Sequence, residues 1–409
     1  MELVEESSCT SPVVDEPEKM DATHERRYTL EDAVEAIGFG KFHILLTLCA
    51  GLLWASDSME IAINALLPPT LVCEWNLTSV QEALIPTVNF IGQGVGALGW
   101  GYLSDRYGRK VALCASALTV FVFGVVSSLV PVYWSMLLCR CLVGVGIGGI
   151  PQTVTILTEV MPVQRRSKSV LIMKTFCGIG SLVAAGLAIG IVNAWGWRYY
   201  VLILSSPLLV FLISSWWIPE SPRYLLITGQ MGKLNALIQR IAKVNGKNEP
   251  EEVEEEVTVP SRGRISDLLT EKFRGTTLVL FFMWFTTAFC VHGMALLTAQ
   301  MFQSRIDGCQ THMSSANVTS AGGCRRLTTA DYTDYMITSG AEIPAILIVL
   351  LVIDKLGRRR CLTIEYGLGF VSILLLLFCS TRPVVVVLIF IFRGTLTSTF
   401  ATIYLYTGE

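Results

Sequence analysis

Charge is what this sequence has least of. Asp, Glu, Lys and Arg together make up 16% of its 409 residues, where soluble domains carry about a quarter. The net charge of −2 gives no basic field for a polyanion, which excludes nucleic acid as a partner. The 12 cysteines are scattered, mostly inside apolar runs, and no CxxC or Cys/His spacing marks a metal site. There is no Gly-rich phosphate loop and no nucleophile constellation, so an enzyme is not expected, nor a cofactor. The first forty or so residues are polar and acidic. They do not read as a signal peptide, and the first apolar run is expected to act as its own insertion signal.

What is abundant is apolar residue, at 52%. It comes in repeated runs of about 18 residues or more, each able to cross a hydrocarbon core of roughly 30 Å as a helix. Backbone groups in lipid must be satisfied internally, so the expected class is an all-α polytopic membrane protein. About ten spans are predicted, near 43–67, 82–104, 110–130, 133–158, 168–193, 197–218, 276–301, 333–353, 361–380 and 384–406. The turns near 105–110, 162–168 and 355–360 are basic, as is the segment 219–275, whereas the opposite loops hold few Lys or Arg. The excess of Lys and Arg on one side puts both termini in the cytosol.

The spans divide the chain. Residues 1–42 form an acidic tail ending in a short surface helix that Thr29 and Asp32 would cap. Residues 43–218 make a six-helix lobe, 219–275 a cytosolic connector with an amphipathic helix over Leu234 to Ala242, and 276–409 a second, partial lobe. The loop 302–332 falls outside the cytosol. There the sequon at Asn317 can be glycosylated, and a Cys309–Cys324 disulfide is chemically permitted.

A charged turn, Gly101-xxx-Asp105-Arg106-x-Gly108-Arg109-Lys110, separates two apolar runs, and a second copy runs from Asp354 through Gly357 to Arg358. Arg140 matches Arg393, and Glu159 matches Glu409, all at offsets close to 250 residues. Paired halves with a midplane site are the architecture of alternating-access carriers. On this count the second half stops after its fourth helix. Glycines cluster in three spans: Gly92, Gly94, Gly96, Gly99 and Gly101; Gly144, Gly146, Gly148 and Gly149; Gly178, Gly180, Gly186 and Gly190. They read as close helix contacts.

Ionisable residues inside spans each need a reason, since a charge at the bilayer centre costs about 2.5–3.5 kcal/mol on insertion scales. Asp57 and Glu60 lie one turn apart in the first span. Arg140, His292, Glu342 and Arg393 lie in later ones, and Lys174 and Glu365 sit closer to the cytosolic ends, where they could snorkel. A carboxylate whose surroundings dry and rewet can load and release a proton, with Arg140 as modulator of Asp57 or Glu60. Arg140 and Arg393 could instead bind an anion.

These motifs resemble those of the major facilitator superfamily, in its sugar-porter-like branch. The Gly101–Lys110 turn is similar to the loop signature of that family, and its second copy departs from it, with Leu350 at the glycine position. Arg140-xxx-Gly144-x-Gly146-x-Gly148 resembles the fourth-helix motif. Glu159 with Arg166, and Glu220 with Arg223, resemble cytosolic gating signatures. Glu31 to Phe42, Cys73-Glu-Trp75 and Gly148 to Gln152 resemble the synaptic vesicle 2-related group of animal transporters. The resemblance implies a twelve-helix fold, of which about ten spans are here, residence in a plasma or vesicle membrane, a monomer, and a small organic ion or metabolite as substrate with proton coupling. The alternative is a membrane protein that binds or regulates without transporting, a truncated variant of the carrier.

Overall fold

The computed structural model describes residues 28–248, 251–253, 268–303, 327–378 and 381–408. Within these the regular structure is helical: α1 (Leu30–Ile37), α2 (Lys41–Trp75), α3 (Ser79–Tyr107), α4 (Arg109–Leu129), α5 (Tyr133–Ile147), α6 (Gln152–Val160), α7 (Val163–Ala194), α8 (Trp197–Leu204), α9 (Ser206–Ser214), α10 (Pro222–Ile227), α11 (Met231–Asn245), α12 (Arg274–Gln303), α13 (Thr329–Ser339), α14 (Glu342–Leu356), α15 (Arg358–Leu376) and α16 (Arg382–Gly408). Asn317, Cys309 and Cys324 lie outside the described residues. Cys73, at the far end of α2, is disulfide-bonded.

Among the described residues, eight stretches are long and apolar enough to cross a membrane: α2, α4, α5 with α6, α7, α8 with α9, α12, α13 with α14, and α16. The other two expected spans are helices of the right length but less apolar. α3 is rich in Gly, Gln and Asn, and α15 opens on Arg358-Arg359-Arg360 and contains Glu365. Large apolar side chains face outward along the spans. On α12, Phe281, Phe282, Phe285 and Phe289 are exposed. A soluble surface does not sustain such a patch, and hydrocarbon does.

α2 to α9 pack as one bundle and α12 to α16 as another, with α7 and α2 running between them. Packing rather than the hydrophobic effect must hold helices in lipid, and the glycines show where. A Cβ on Gly92 would meet the carbonyl of Cys141 at 2.1 Å, one on Gly96 that of Val145 at 2.1 Å, and one on Gly144 that of Asn89 at 2.0 Å. The α3 and α5 backbones therefore touch along a four-residue repeat. Gly94, Gly99 and Gly101, off that repeat, face open space.

The two charged turns share one backbone solution. Gly108 and Gly357 end their helices at φ +103° and +76°, where side chains are disfavoured. Each donates its N–H back into the preceding helix, to Ser104 and Ile353, at 3.1 and 3.0 Å. At this turn end lie the surface helices. Thr29 caps α1 with Asp32 reciprocating. Asn245 closing α11 accepts from the Phe42 N–H at 3.0 Å, tying α11 to the start of α2. At the far end, Glu74 of α2 holds the Trp197 indole at 2.6 Å and Arg198 at 2.9 Å.

The glycine contacts make a stability prediction. Gly144→Ala must push two helix backbones apart and is expected to cost about 1–3 kcal/mol, as overpacking does. Gly94→Ala, on the open face, should leave the thermal midpoint of the detergent-solubilised protein within error of the unaltered chain. Equal midpoints for both variants would show that the α3–α5 approach is not close.

Candidate functional site

Two apolar clusters join the bundles, one at each end. The turn-end cluster includes Leu53 and Trp54 of α2, Leu171 and Met173 of α7, and Ile353 and Leu405 from the second bundle. The far-end cluster begins at Met59 on α2 and Ala184 on α7, and takes in Ala299, Tyr332 and Tyr335. Between Trp54 and Met59 sits Asp57. Between Met173 and Ala184 sit Lys174, Cys177 and Ser181. That interval holds a cavity of about 110 Å³ between the bundles, with one cluster on either side of it along α2 and α7.

Of the intramembrane candidates, Asp57, His292, Glu342 and Arg393 line this cavity. Glu60 and Arg140 do not. They form a pair inside the first bundle, Nη1 to Oε2 at 2.9 Å, with 2% and 0% of their side chains exposed. Ser127 accepts from the other terminal nitrogen of Arg140. Depth alone leaves Asp57 and Glu60 equivalent as partners for Arg140. The helix decides: Trp54, Asp57, Ser58 and Ile61 share the stripe that faces the cavity, and Glu60 turns towards α5.

Lys174 corrects the expectation of a snorkelling side chain. It is 3% exposed, and its ammonium stands over the rings of Trp54, Tyr404 and Phe400 at 3.1, 4.2 and 4.7 Å. The error lies in the helix start. α7 begins at Val163, so Lys174 is about 16 Å along it at 1.5 Å per residue, far enough from the turn end to be packed between the bundles. Glu365 is also buried rather than snorkelling. It faces α16 and accepts from Thr402 at 3.2 Å. The aromatic cage was not anticipated, and the one available signal was the recurrence of Phe400 and Tyr404 at helical spacing.

Glu342 opens α14 and receives two bonds, from Arg393 at 2.7 Å and from Ser181 of α7 at 3.1 Å. The first holds the second bundle together, and the second crosses between bundles. The crossing is possible because Gly178 brings α7 against α14, where a Cβ would lie 3.1 Å from that of Glu342. The halves are similar but not identical here. Asn89 and Glu342 each stand 51 residues before their arginine, yet Asn89 donates to the Arg140 carbonyl at 3.0 Å while Glu342 takes the Arg393 guanidinium. His292 packs on Phe90, ring centroids 4.9 Å apart, with Nδ1 unpartnered.

The gating candidates gather at the turn end. Arg109 donates to Ser221 at 3.1 Å and stands 3.7 Å from Glu159, which accepts from the Ser221 hydroxyl. Glu220 accepts from the backbone N–H of Lys110 at 3.0 Å, and its carboxylate fills the space a Cβ on Gly108 would need. Arg223 is exposed but within electrostatic range of Glu159. Arg166 donates to the Met161 carbonyl at 3.0 Å. These bonds knit the α3–α4 turn to the α6 end and to α10. Asp105 and Arg106 are exposed, and Gly101 faces open space. In the second turn Asp354 meets Lys168 of α7 at 3.2 Å, a contact between bundles at a half-exposed site, and Arg358 starts α15.

Residues 44–409 match the family model of the Major Facilitator Superfamily. The chain is similar to the synaptic vesicle 2-related protein of Pongo abelii, 39% identical over 93% of this chain and 70% of that one. It is similar to the organic cation/carnitine transporter 7 of Arabidopsis thaliana, 29% identical over 94% of this chain and 82% of that one. Among solved structures, the proton:xylose symporter XylE bound to 6-bromo-6-deoxy-D-glucose aligns with a TM-score of 0.57 at 17% identity, covering 90% of this chain and 81% of that one. At that identity the likeness bears on the fold alone. Together with the eight apolar helices, these likenesses make this an integral, multi-pass membrane protein.

The buried Glu60–Arg140 pair yields a sharp contrast. Glu60→Gln leaves the guanidinium uncompensated and is expected to cost about 3–5 kcal/mol. Replacing both residues with apolar ones of similar volume should cost clearly less. Retention of monodisperse protein after graded heating measures both; a double variant as impaired as the single one would contradict a pairing role.

Proposed function

Because the chain belongs to the Major Facilitator Superfamily, we propose that it is a secondary active transporter that moves a small organic solute by alternating access, coupled to protons through Asp57. The observation that carries this reading is the cavity between the bundles, with Asp57 and Lys174 on one wall and the Glu342–Arg393 pair on the other. Glu342 is bonded to both bundles at once, so relative rocking of the bundles changes the surroundings of the cavity's own charges. Asp57 is the better proton site than Glu60, which is locked to Arg140 within one bundle. The Lys168–Asp354 contact and the Arg109–Glu159–Ser221–Glu220 network act as releasable braces at the turn end.

Reconstituted vesicles test this directly. With an inward proton gradient and a panel of organic ions and metabolites, the full chain should accumulate at least one solute and acidify the lumen. Asp57→Asn should lose accumulation by about tenfold or more while still exchanging internal for external solute, since exchange needs no net proton step. Absence of any solute or proton movement across the panel would defeat the proposal.

In this reading residues 43–218 and 276–409 are the two lobes, the turn end and both termini face the cytosol, and the loop 302–332 does not. Asn317 then carries N-linked glycan. In cells, treatment with an endoglycosidase should shift the mobility of the protein, and Asn317→Gln should abolish the shift. Glycosylation of a sequon placed in the 219–275 segment instead would invert the orientation.

A further inference from the structure

The cavity carries a chemical preference, and we infer that it receives a small organic anion, a carboxylate on a planar or aromatic body, bound by Lys174 Nζ and Arg393 Nη1. This deepens the transporter reading and rests on it.

Three facts converge. The first is unspent donors. Lys174 Nζ, Arg393 Nη1 and His292 Nδ1 are buried, belong to residues lining the cavity, and have no hydrogen-bond partner. A buried cationic donor left unpaired is costly, and a carboxylate supplies the strong, charge-assisted acceptor it lacks. The local acidic residues do not fill that need. Both oxygens of Glu342 are already engaged, by Arg393 and by Ser181. Asp57 is within electrostatic reach of Lys174 but forms no ion pair with it among the described residues.

The second fact is the aromatic cage. Rings over a cation usually mark a site for a ligand cation. Here the cage formed by Trp54, Tyr404 and Phe400 already holds the protein's own ammonium. An incoming cation would find it filled and would face Arg393 as well. The same three residues line the cavity, so their rings can contact the body of a flat guest. The space, about 110 Å³, limits that guest to a small one.

The third is charge balance. Asp57 and Glu342 offset Lys174 and Arg393, so an anion entering alone would leave the cavity one charge negative. A proton arriving on Asp57 restores neutrality and also frees Lys174 from the pull of that carboxylate. The groups facing Asp57 from each packed element are Glu60 on its own helix, Lys174 and Cys177 on α7, His292 on α12, Glu342 on α14, and Arg393 and Tyr404 on α16. Anion binding and proton uptake therefore favour each other.

The test is equilibrium binding by calorimetry to the purified full chain in detergent, with benzoate, benzyl alcohol and benzylammonium as probes of similar size and three charges. Benzoate should bind and the other two should not. Lys174→Gln should weaken benzoate by about tenfold or more, the loss of one charge-assisted bond, whereas Lys174→Arg should stay within a few-fold. Where Lys174→Gln fails to fold, the three-probe comparison on the unaltered protein still decides. Preference for benzylammonium, equal binding of all three, no benzoate binding at millimolar concentration, or benzoate binding indifferent to Lys174→Gln would each overturn the inference. Binding does not depend on flux. Benzoate binding without vesicle transport would sink the carrier reading alone, and cation transport without benzoate binding would sink the anion reading alone.

Discussion

A charge inside hydrocarbon has to be matched, and the interior of this molecule is arranged around that requirement. Two arginines sit at mid-membrane, one per half, and each is joined to a carboxylate on another helix: Arg140 to Glu60, and Arg393 to Glu342. The helices that bring them together, α2 with α5 and α14 with α16, are thereby fixed in rotation and depth. The glycine contacts between α3 and α5 then complete a rigid first bundle. What is left over, Asp57 and Lys174, is the chemistry that the packing does not consume, and it faces the cavity.

The cavity follows from an interruption of apolar packing. α2 and α7 each contribute to the cluster at one end and to the cluster at the other, with polar residues between. On α7 that interval holds Lys174, Cys177 and Ser181, and on α2 it holds Asp57 and Ser58. One helix face thus supplies both the seals and the site. α7 reaches the second bundle through Ser181 to Glu342, through Lys174 to Phe400 and Tyr404, and through Lys168 to Asp354. Movement of α7 is therefore sensed in the cavity and at the charged turn together.

Much of this could be read from the residues. The apolar runs placed most spans to within a few residues, because hydrocarbon thickness sets a minimum helix length, but α2 runs on to Trp75 and α7 starts at Val163, well beyond the apolar stretches. The duplicated turn was legible because charge is so scarce elsewhere. Other features were not. Asp57 and Glu60 are one turn apart, and only the packed helix shows that one faces the cavity and the other Arg140. Lys174 was misread because the start of α7 lies at Val163, among polar residues that hydropathy assigns to the loop. The cage of Trp54, Phe400 and Tyr404 draws on α2 and α16, far apart in sequence, and the helical spacing of Phe400 and Tyr404 does not reveal that Trp54 completes it.

The two halves differ at one informative place. Where the first half has Asn89, bonded to a main-chain carbonyl, the second has Glu342, bonded to the guanidinium and to the opposite bundle. An amide and a carbonyl carry no net charge, and their bond lies within the first bundle, off the cavity lining. A carboxylate answers to every nearby charge. At this matched position the two halves therefore differ by a full charge, through the exchange of an NH₂ for an oxygen with one further methylene in the side chain, and only the charged copy reaches the opposite bundle.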